Sequence, residues 1–243
     1  MDAPFVYSGE ELDVFALATR WKSYWSGRIR PYIGREVLEV GAGIGSNARV
    51  FRDLPCQRWV GLEPDASQCV RMDESRRRGE MPAGHEIRCG VSSDLPPDDR
   101  FDTILYIDVL EHIRDDRGEL LRVARHLRPG GHIVIVSPAH AFLYSEFDRK
   151  IGHHRRYNRP SLRSVVPDTL TLLTLHYLDS VGMLASLANR LLLRSDSPKA
   201  SQVRLWDSLM VPASRLLDPL LGFQVGKSIV CVLKNPATTA PSP

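Results

Sequence analysis

A chain of 243 residues, 43% hydrophobic and 25% charged, has the composition of an ordinary folded protein, which argues against disorder, a collagen-like repeat or a membrane bundle. Its formal net charge of +3 is not gathered into a Lys/Arg block, so a dedicated nucleic-acid tail is excluded and only a mild preference for anionic partners remains. The longest apolar stretch, Val181 to Leu193, is interrupted by Ser186, Asn189 and Arg190 and falls short of the roughly 20 residues that span a bilayer.

The start, Met1-Asp2-Ala3-Pro4, lacks the basic and then apolar pattern of a signal peptide. Cys56, Cys69, Cys89 and Cys231 are far apart and show no C-x-x-C spacing, so reduced, mostly buried thiols are expected, in keeping with a cytoplasmic location. The expected organisation is one domain over 1–235, with an aromatic N-terminal segment over 1–35, additions to the alternating core over 138–221 and a frayed tail over 236–243.

In chain order, Arg20 to Arg28 reads as an aromatic helix, and from residue 36 to 137 short β-rich runs alternate with helical patterns. The runs are Glu36–Val40, Arg58–Leu62, Glu86–Val91, Thr103–Ile107 and Ile133–Ser137. Between them, Ser46–Asp53, Asp65–Arg78 and Arg117–Leu127 carry apolar residues three and four apart, as crossover helices do, so βαβ units feeding a parallel sheet are expected. Leu127-Arg128-Pro129-Gly130-Gly131 predicts a clean helix stop followed at once by a strand. Residues 138–160 form a polar, His/Arg/Tyr-rich connection that is long for a structureless loop. Leu170–Tyr177 alternates like a strand, 182–193 reads as an apolar helix, and 202–221 carries one apolar face that Pro212 should kink or split. That last helix can serve as a core or dimer element or lie on a membrane surface, with Arg204 and Arg215 beside the stripe and Asp207 and Asp218 diluting it. Ser228–Leu233 supplies a final strand.

The stretch Val37-Leu38-Glu39-Val40-Gly41-Ala42-Gly43-Ile44-Gly45-Ser46 sets a glycine-rich turn between a strand and a helix, where α/β sheets bind ligands at their carboxyl ends. Glu63, followed by Pro64, closes the next strand roughly 20 residues beyond Gly43, the separation at which an acidic residue reaches ribose hydroxyls. A nicotinamide enzyme would carry its third glycine or an alanine at position 46, but Ser46 stands there and the third glycine is Gly45.

At these residues the chain resembles the class I S-adenosylmethionine-dependent methyltransferases, of the bacterial small-molecule and lipid or glycan type, over roughly residues 30–160. The resemblance implies that Glu39 lies near the cofactor amino group, that Gly41, Ala42, Gly43 and Gly45 line its path, and that Glu63 with Pro64 holds the ribose. Gly90 to Pro96 is similar to the family's adenine-side loop, which brings in Ser92 and Ser93, although Val91 stands where an acidic residue is common. Phe101 to His112 resembles the fourth-strand motif, whose end, at Asp108, faces the methyl group. The Asn/Asp-Pro-Pro-Tyr/Phe tetrapeptide of enzymes that methylate base amino groups is replaced by Asp108-Val109-Leu110-Glu111, so no nucleic-acid partner is expected.

The run Asp148 to Tyr157 resembles a Gly-His-x-Arg-Arg-Tyr pattern of the same bacterial subgroup. Here Arg155 or Arg156 can clamp an anionic acceptor and His153 or His154 can take a proton, with Tyr144 and Tyr157 beside them, or the whole run can be a solvated basic loop. His112 is a further candidate base, or a histidine packed beneath the site. Tyr24 in the aromatic helix can meet the sulfonium through its ring or simply anchor the helix. No metal is expected, because the loop histidines lack further ligands in the sequence.

The expected fold is an α/β, doubly wound, Rossmann-like seven-stranded sheet with an antiparallel last strand and a helical acceptor cover. The expected reaction is methyl transfer from S-adenosylmethionine to a small molecule, most simply an O-methylation in bacterial secondary or envelope metabolism, by a monomer or homodimer. A lipid-linked or glycan acceptor at the membrane surface, and a cofactor-binding cyclase that transfers no methyl, stand as alternatives.

Overall fold

A computed structural model describes residues 10–82, 84–188 and 199–236. Seven strands, β1 (Glu36–Val40), β2 (Arg58–Glu63), β3 (His85–Cys89), β4 (Phe101–Ile107), β5 (Leu127–Pro138), β6 (Thr171–Leu178) and β7 (Ser228–Lys234), form one sheet in the order β3-β2-β1-β4-β5-β7-β6. The first five pair in parallel, and β7 runs antiparallel to both β5 and β6. Continuous apolar runs such as Ile104–Ile107 and Ile133–Val136, buried on both faces, suit a sheet covered on both sides. One apolar cluster holds Trp25, Phe51 and Trp59, the other Phe101, Tyr106 and Leu120.

The order switches beside β1, where neighbours β2 and β4 carry the chain away in opposite directions. That is the crevice in which open α/β sheets bind ligands. Two expected helix bounds change around it. Ser46–Asp53 holds only a single 3₁₀ turn, Ala48–Phe51. Ser46 Oγ and Asn47 Oδ1 accept from Lys22 Nζ at 2.7 and 2.9 Å, so neither is left to cap a longer helix, and Pro55 follows soon after. The helix before β5, α4 (Asp116–Ala124), stops before Leu127, and the Pro-Gly-Gly segment lies inside β5, where Gly130 N–H donates to Asn235 O and Asn235 N–H to Gly131 O.

A helical cover closes the carboxyl end of the sheet. It contains α1 (Glu10–Ala16), α2 (Thr19–Ile29), α7 (Ser180–Ala188), α8 (Ala200–Leu205) and α9 (Val211–Leu220), while α3 (Ala66–Arg77) is the crossover after β2. Between α8 and α9 the chain makes a π-turn, Trp206–Met210, directly before Pro212, which is how the missing proline N–H splits the predicted helix. The part of the predicted 182–193 helix beyond Ala188 lies outside the described residues, as does most of the 236–243 tail.

Three buried carboxylates tie the cover together. Ala18 offers α2 no capping side chain, and Asp207 replaces it from the π-turn, accepting from Arg20 N at 3.1 Å and Trp21 N at 2.8 Å. Asp218 accepts from Tyr24 Oη at 2.8 Å and from the backbone of Asp179 and Ser180. Asp179 takes Trp206 Nε1 at 2.7 Å, Ser214 Oγ at 2.6 Å and the Lys227 ammonium at 3.3 Å. The expectation of four isolated thiols fails: Cys69 on α3 and Cys89 at the end of β3 are bridged with Cα atoms 6.2 Å apart, while Cys56 and Cys231 are free and buried. The cysteine argument for a reducing compartment falls with it.

Candidate active site

Above β1 the loop is folded by its glycines. Gly41, Gly43 and Gly45 have φ of 65°, 55° and 74°, left-handed values that favour residues without a Cβ. A Cβ on Gly41 would stand 2.5 Å from Val109 Cγ2, so the loop lies directly against the segment after β4. Gly41 and Ala42 N–H both donate to Leu62 O, at 2.8 and 3.1 Å, which clamps the loop to the end of β2. There Glu63, 5% exposed, accepts from Gly43 N through Oε2 at 2.8 Å and from Asp65 N through Oε1 at 3.0 Å. Burial raises its pKa, and the two backbone donors pull it back. Both oxygens keep lone pairs for hydroxyl donors.

Glu39, on β1 beneath the loop, is 1% exposed. Its Oε2 accepts from Trp59 Nε1 at 3.1 Å, and its Oε1 has no hydrogen-bond partner among the described residues. Burial lifts the carboxyl up to about 7. Lys22 reaches the same place from α2, and burial lowers its ammonium to about 8 while Glu39 and Asp108 draw it back up. An orphaned buried carboxylate oxygen and a ribose-type acidic residue flanking a glycine turn fit a cationic, hydroxylated cofactor.

On the expected adenine side, Val91 and Ser93 are exposed. Ser92 is not: its hydroxyl donates to Glu119 Oε2 at 2.6 Å inside a cluster with Tyr106 and Arg122, so only its backbone is left for a ligand. At the end of β4, Asp108 adopts φ 55° and is exposed. The 3₁₀ turn Leu110–His112 follows, with Glu111 fully buried and its Oε2 accepting from Ser137 Oγ at 2.7 Å. The His112 and His153 rings stand edge to face, 4.5 Å apart, and burial drives the His112 pKa down to about 3. An imidazole so depressed is neutral near pH 7 but a weak proton acceptor.

The acceptor loop is built differently from the expectation. Residues 138–160 contain the helix α5 (Glu146–Lys150) and lead into α6 (Arg159–Val165), and most of the predicted clamp residues turn inward. Arg156 forks onto Asp148 at 2.7 and 2.9 Å. Arg155 pairs with Asp116 and with Arg114 O. Tyr157, 1% exposed, donates to Asp116 Oδ2 at 2.7 Å, and Tyr144 donates to His153 O at 2.6 Å. Tyr24 is held by Asp218. These side chains build the loop and the cap, because buried or half-buried arginines and tyrosines require such partners. His154 has an exposed side chain, and its backbone N–H donates to Glu111 O at 2.9 Å. His153 and His112 stay packed against each other beside the turn that follows β4.

Two residues that matter were not singled out in the sequence. Lys22 is one of three cations in the aromatic helix, with Arg20 and Arg28, and nothing local sets it apart. Glu111, adjacent to His112, gains its meaning from His153, which the fold brings back from 42 positions further along.

The family described as methyltransferase domain matches residues 16–173. Curated relatives include the tRNA U34 carboxymethyltransferase of Shewanella oneidensis, 33% identical over 138 residues, 54% of this chain and 40% of that protein. The enzyme of the same name from Shewanella amazonensis is 32% identical over 139 residues, with the same coverage. The chain therefore spans less than half the length of the curated relatives it matches. Among solved structures, coclaurine N-methyltransferase bound to N-methylheliamine and S-adenosylhomocysteine superposes with a TM-score of 0.61 at 15% identity, covering 89% of this chain and 72% of that one. NodS of Bradyrhizobium japonicum, bound to S-adenosylhomocysteine, gives 0.57 at 14% identity over 90% and 86%. The [4+2]-cyclase SpnF gives 0.58 at 21% over 90% and 80%, a likeness of fold alone. The chain belongs to the methyltransferase-domain family, and its sheet has the fold of solved class I methyltransferases, two of which hold S-adenosylhomocysteine.

Proposed function

We propose that the protein methylates a hydroxyl of a small-molecule acceptor, in bacterial secondary or envelope metabolism, held between Asp108 and the His112–His153 pair. When bound, S-adenosylmethionine supplies a methyl group on a sulfonium, which needs a well-aligned nucleophile more than a strong catalyst. Glu39 receives the amino group, with Lys22 beside it as the counter-charge that keeps the carboxylate ionised. Gly41, Ala42, Gly43 and Gly45 let the backbone approach closely, Glu63 and Pro64 hold the ribose end, and Ser93 with the Ser92 backbone borders the base.

The observation that carries the small-acceptor reading is the inward pairing of the loop cations. Arg155 and Arg156 are neutralised by Asp116 and Asp148, so the cleft wall offers histidines rather than a row of free guanidiniums. A tRNA of the kind named for the curated relatives would need several phosphate contacts. A lipid-linked acceptor is favoured by a separate feature: Leu209, Leu216 and Leu220 are 64%, 74% and 82% exposed along the π-turn and α9, near Arg204 and Arg215. No helix among the described residues is long and apolar enough to cross a membrane.

The test is to incubate purified protein with methyl-labelled S-adenosylmethionine and host extract and to sort the label. Label in the aqueous small-molecule fraction supports the proposal, and label in lipid selects the membrane-surface acceptor. Label in tRNA refutes the small-molecule reading, and turnover of an acceptor without S-adenosylhomocysteine would point to a cyclase.

A further inference from the structure

Behind the acceptor wall, two neighbouring metal-ligating side chains and a third from about 40 positions further along meet at one point. One ligand atom from each of Glu111, His112 and His153 lies within 4.8 Å of the others. Glu111 is wholly buried; its Oε2 is satisfied by Ser137, but its Oε1 accepts no hydrogen bond among the described residues. Burying a carboxylate oxygen without a donor is unfavourable enough that native structures rarely do it. The group facing it, His153 Nε2 at 3.7 Å, is too far away to donate. That spacing is close to the separation of roughly 3.4 Å between two ligands that share a tetrahedral ion at bond lengths of about 2.1 Å.

His153 is oriented for ligation from behind. Its Nδ1 lies 2.8 Å from Asp148 Oδ1, and because an ionised carboxylate only accepts, Nδ1 carries a proton, so that the neutral ring would turn its Nε2 lone pair toward Glu111. Asp148 is fixed in turn by the Arg156 fork and by Ser145 N and Oγ, both at 2.8 Å. A carboxylate behind an imidazole is the arrangement that locks the tautomer of metal-bound histidines.

We propose that Glu111, His112 and His153 bind one divalent ion of the zinc class, with a position left open toward the cleft for the acceptor oxygen. Two imidazoles and one carboxylate suit zinc, cobalt or iron rather than magnesium or calcium, and three protein ligands are the number found in catalytic zinc sites. The ion stands on the geometry alone, and its use in catalysis rests on reading this wall as the acceptor site. The coordinated hydroxyl gives its proton to solvent, its oxygen lone pair forms the bond to the methyl carbon, and the carbon–sulfur pair goes to sulfur, leaving a neutral thioether.

The test is a Co²⁺ titration of untagged, metal-free protein, without cofactor or acceptor, followed by visible absorption. The expected result is a single equivalent bound with the bands of a four- or five-coordinate site, displaced by Zn²⁺. Glu111→Gln and His153→Asn should each weaken binding about tenfold or more, and Asp148→Asn about tenfold through the imidazole it orients, while His154→Asn binds like wild type. Because a buried variant can fail to fold, near-ultraviolet dichroism is compared for each, and the wild-type titration decides alone if they do. No uptake at millimolar Co²⁺, or uptake undiminished in folded Glu111→Gln and His153→Asn, overturns the site. Cobalt uptake without methyl transfer to any fraction keeps the ion and removes the acceptor reading, whereas methyl transfer without any uptake removes the ion and leaves that reading standing.

Discussion

Glu39→Gln tests the electrostatics of the cofactor floor with a change of one atom type. Burial places the Glu39 carboxyl at about 7, against 4.5 for an unperturbed glutamate. A raised folded-state pKa contributes stability that is fully present below the unfolded value and is lost as pH rises through the folded one. The whole contribution is about 3 kcal/mol, of which about 2 kcal/mol disappears between about pH 5.5 and about pH 7.5. With only 1% of the residue exposed, solvent screening does not reduce it further. His85 and His176, both lowered by burial to about 4, act in the opposite sense as pH falls, but they cancel when variant is subtracted from wild type. Urea unfolding of the cofactor-free protein at the two pH values should show the wild type losing about 2 kcal/mol relative to the variant. Cofactor affinity should move the other way, because the ammonium partner needs the ionised carboxylate. It should rise about 25-fold in the wild type across that window and stay low and flat in Glu39→Gln. Parallel stability slopes in the two proteins would refute the buried-carboxylate argument.

Glu63→Ala should weaken S-adenosylmethionine binding about tenfold or more, since it removes the ribose acceptor and orphans Gly43 N–H, and unchanged affinity by calorimetry would contradict the assignment. Gly41→Ala should lower stability by about 1–2 kcal/mol from the left-handed φ alone, with further loss from the 2.5 Å approach to Val109, read as a falling melting temperature and weaker cofactor binding. Tyr157→Phe should destabilise by about 1–2 kcal/mol by leaving the buried Asp116 without its hydroxyl donor, with the acceptor KM unaltered. A raised KM at unchanged melting temperature would restore Tyr157 to the acceptor site.

The sheet was legible because its strands are local facts: runs such as Thr103–Ile107 and Ile133–Ser137 announce themselves by apolar β-formers bounded by turns. The glycine turn and Glu63 were legible for the same reason, since backbone geometry demands glycine wherever it occurs. Boundaries failed where a distant side chain intervened, as when Lys22 takes the hydroxyl and amide of Ser46 and Asn47 and the crossover helix shrinks to one 3₁₀ turn. The pairing within residues 138–160 was hidden for a related reason. Arg155 read as a clamp, with Tyr157 beside it, because side-chain type is visible in sequence, whereas their partner Asp116 lies 39 and 41 positions away. Glu111 remained hidden because a carboxylate beside a histidine says nothing until the fold returns His153 to it. Cys69 and Cys89, separated by 20 positions, meet for the same tertiary reason.

The central claim is that a cofactor held by Glu39 and Glu63 delivers its methyl group to an acceptor in front of His112 and His153. The most direct measurement is a time course of S-adenosylhomocysteine and methylated product in the small-molecule fraction of host extract with purified protein. The account predicts that the two accumulate in equal amounts, and that both fall in Glu63→Ala. Conversion of a small molecule with no S-adenosylhomocysteine formed would contradict it.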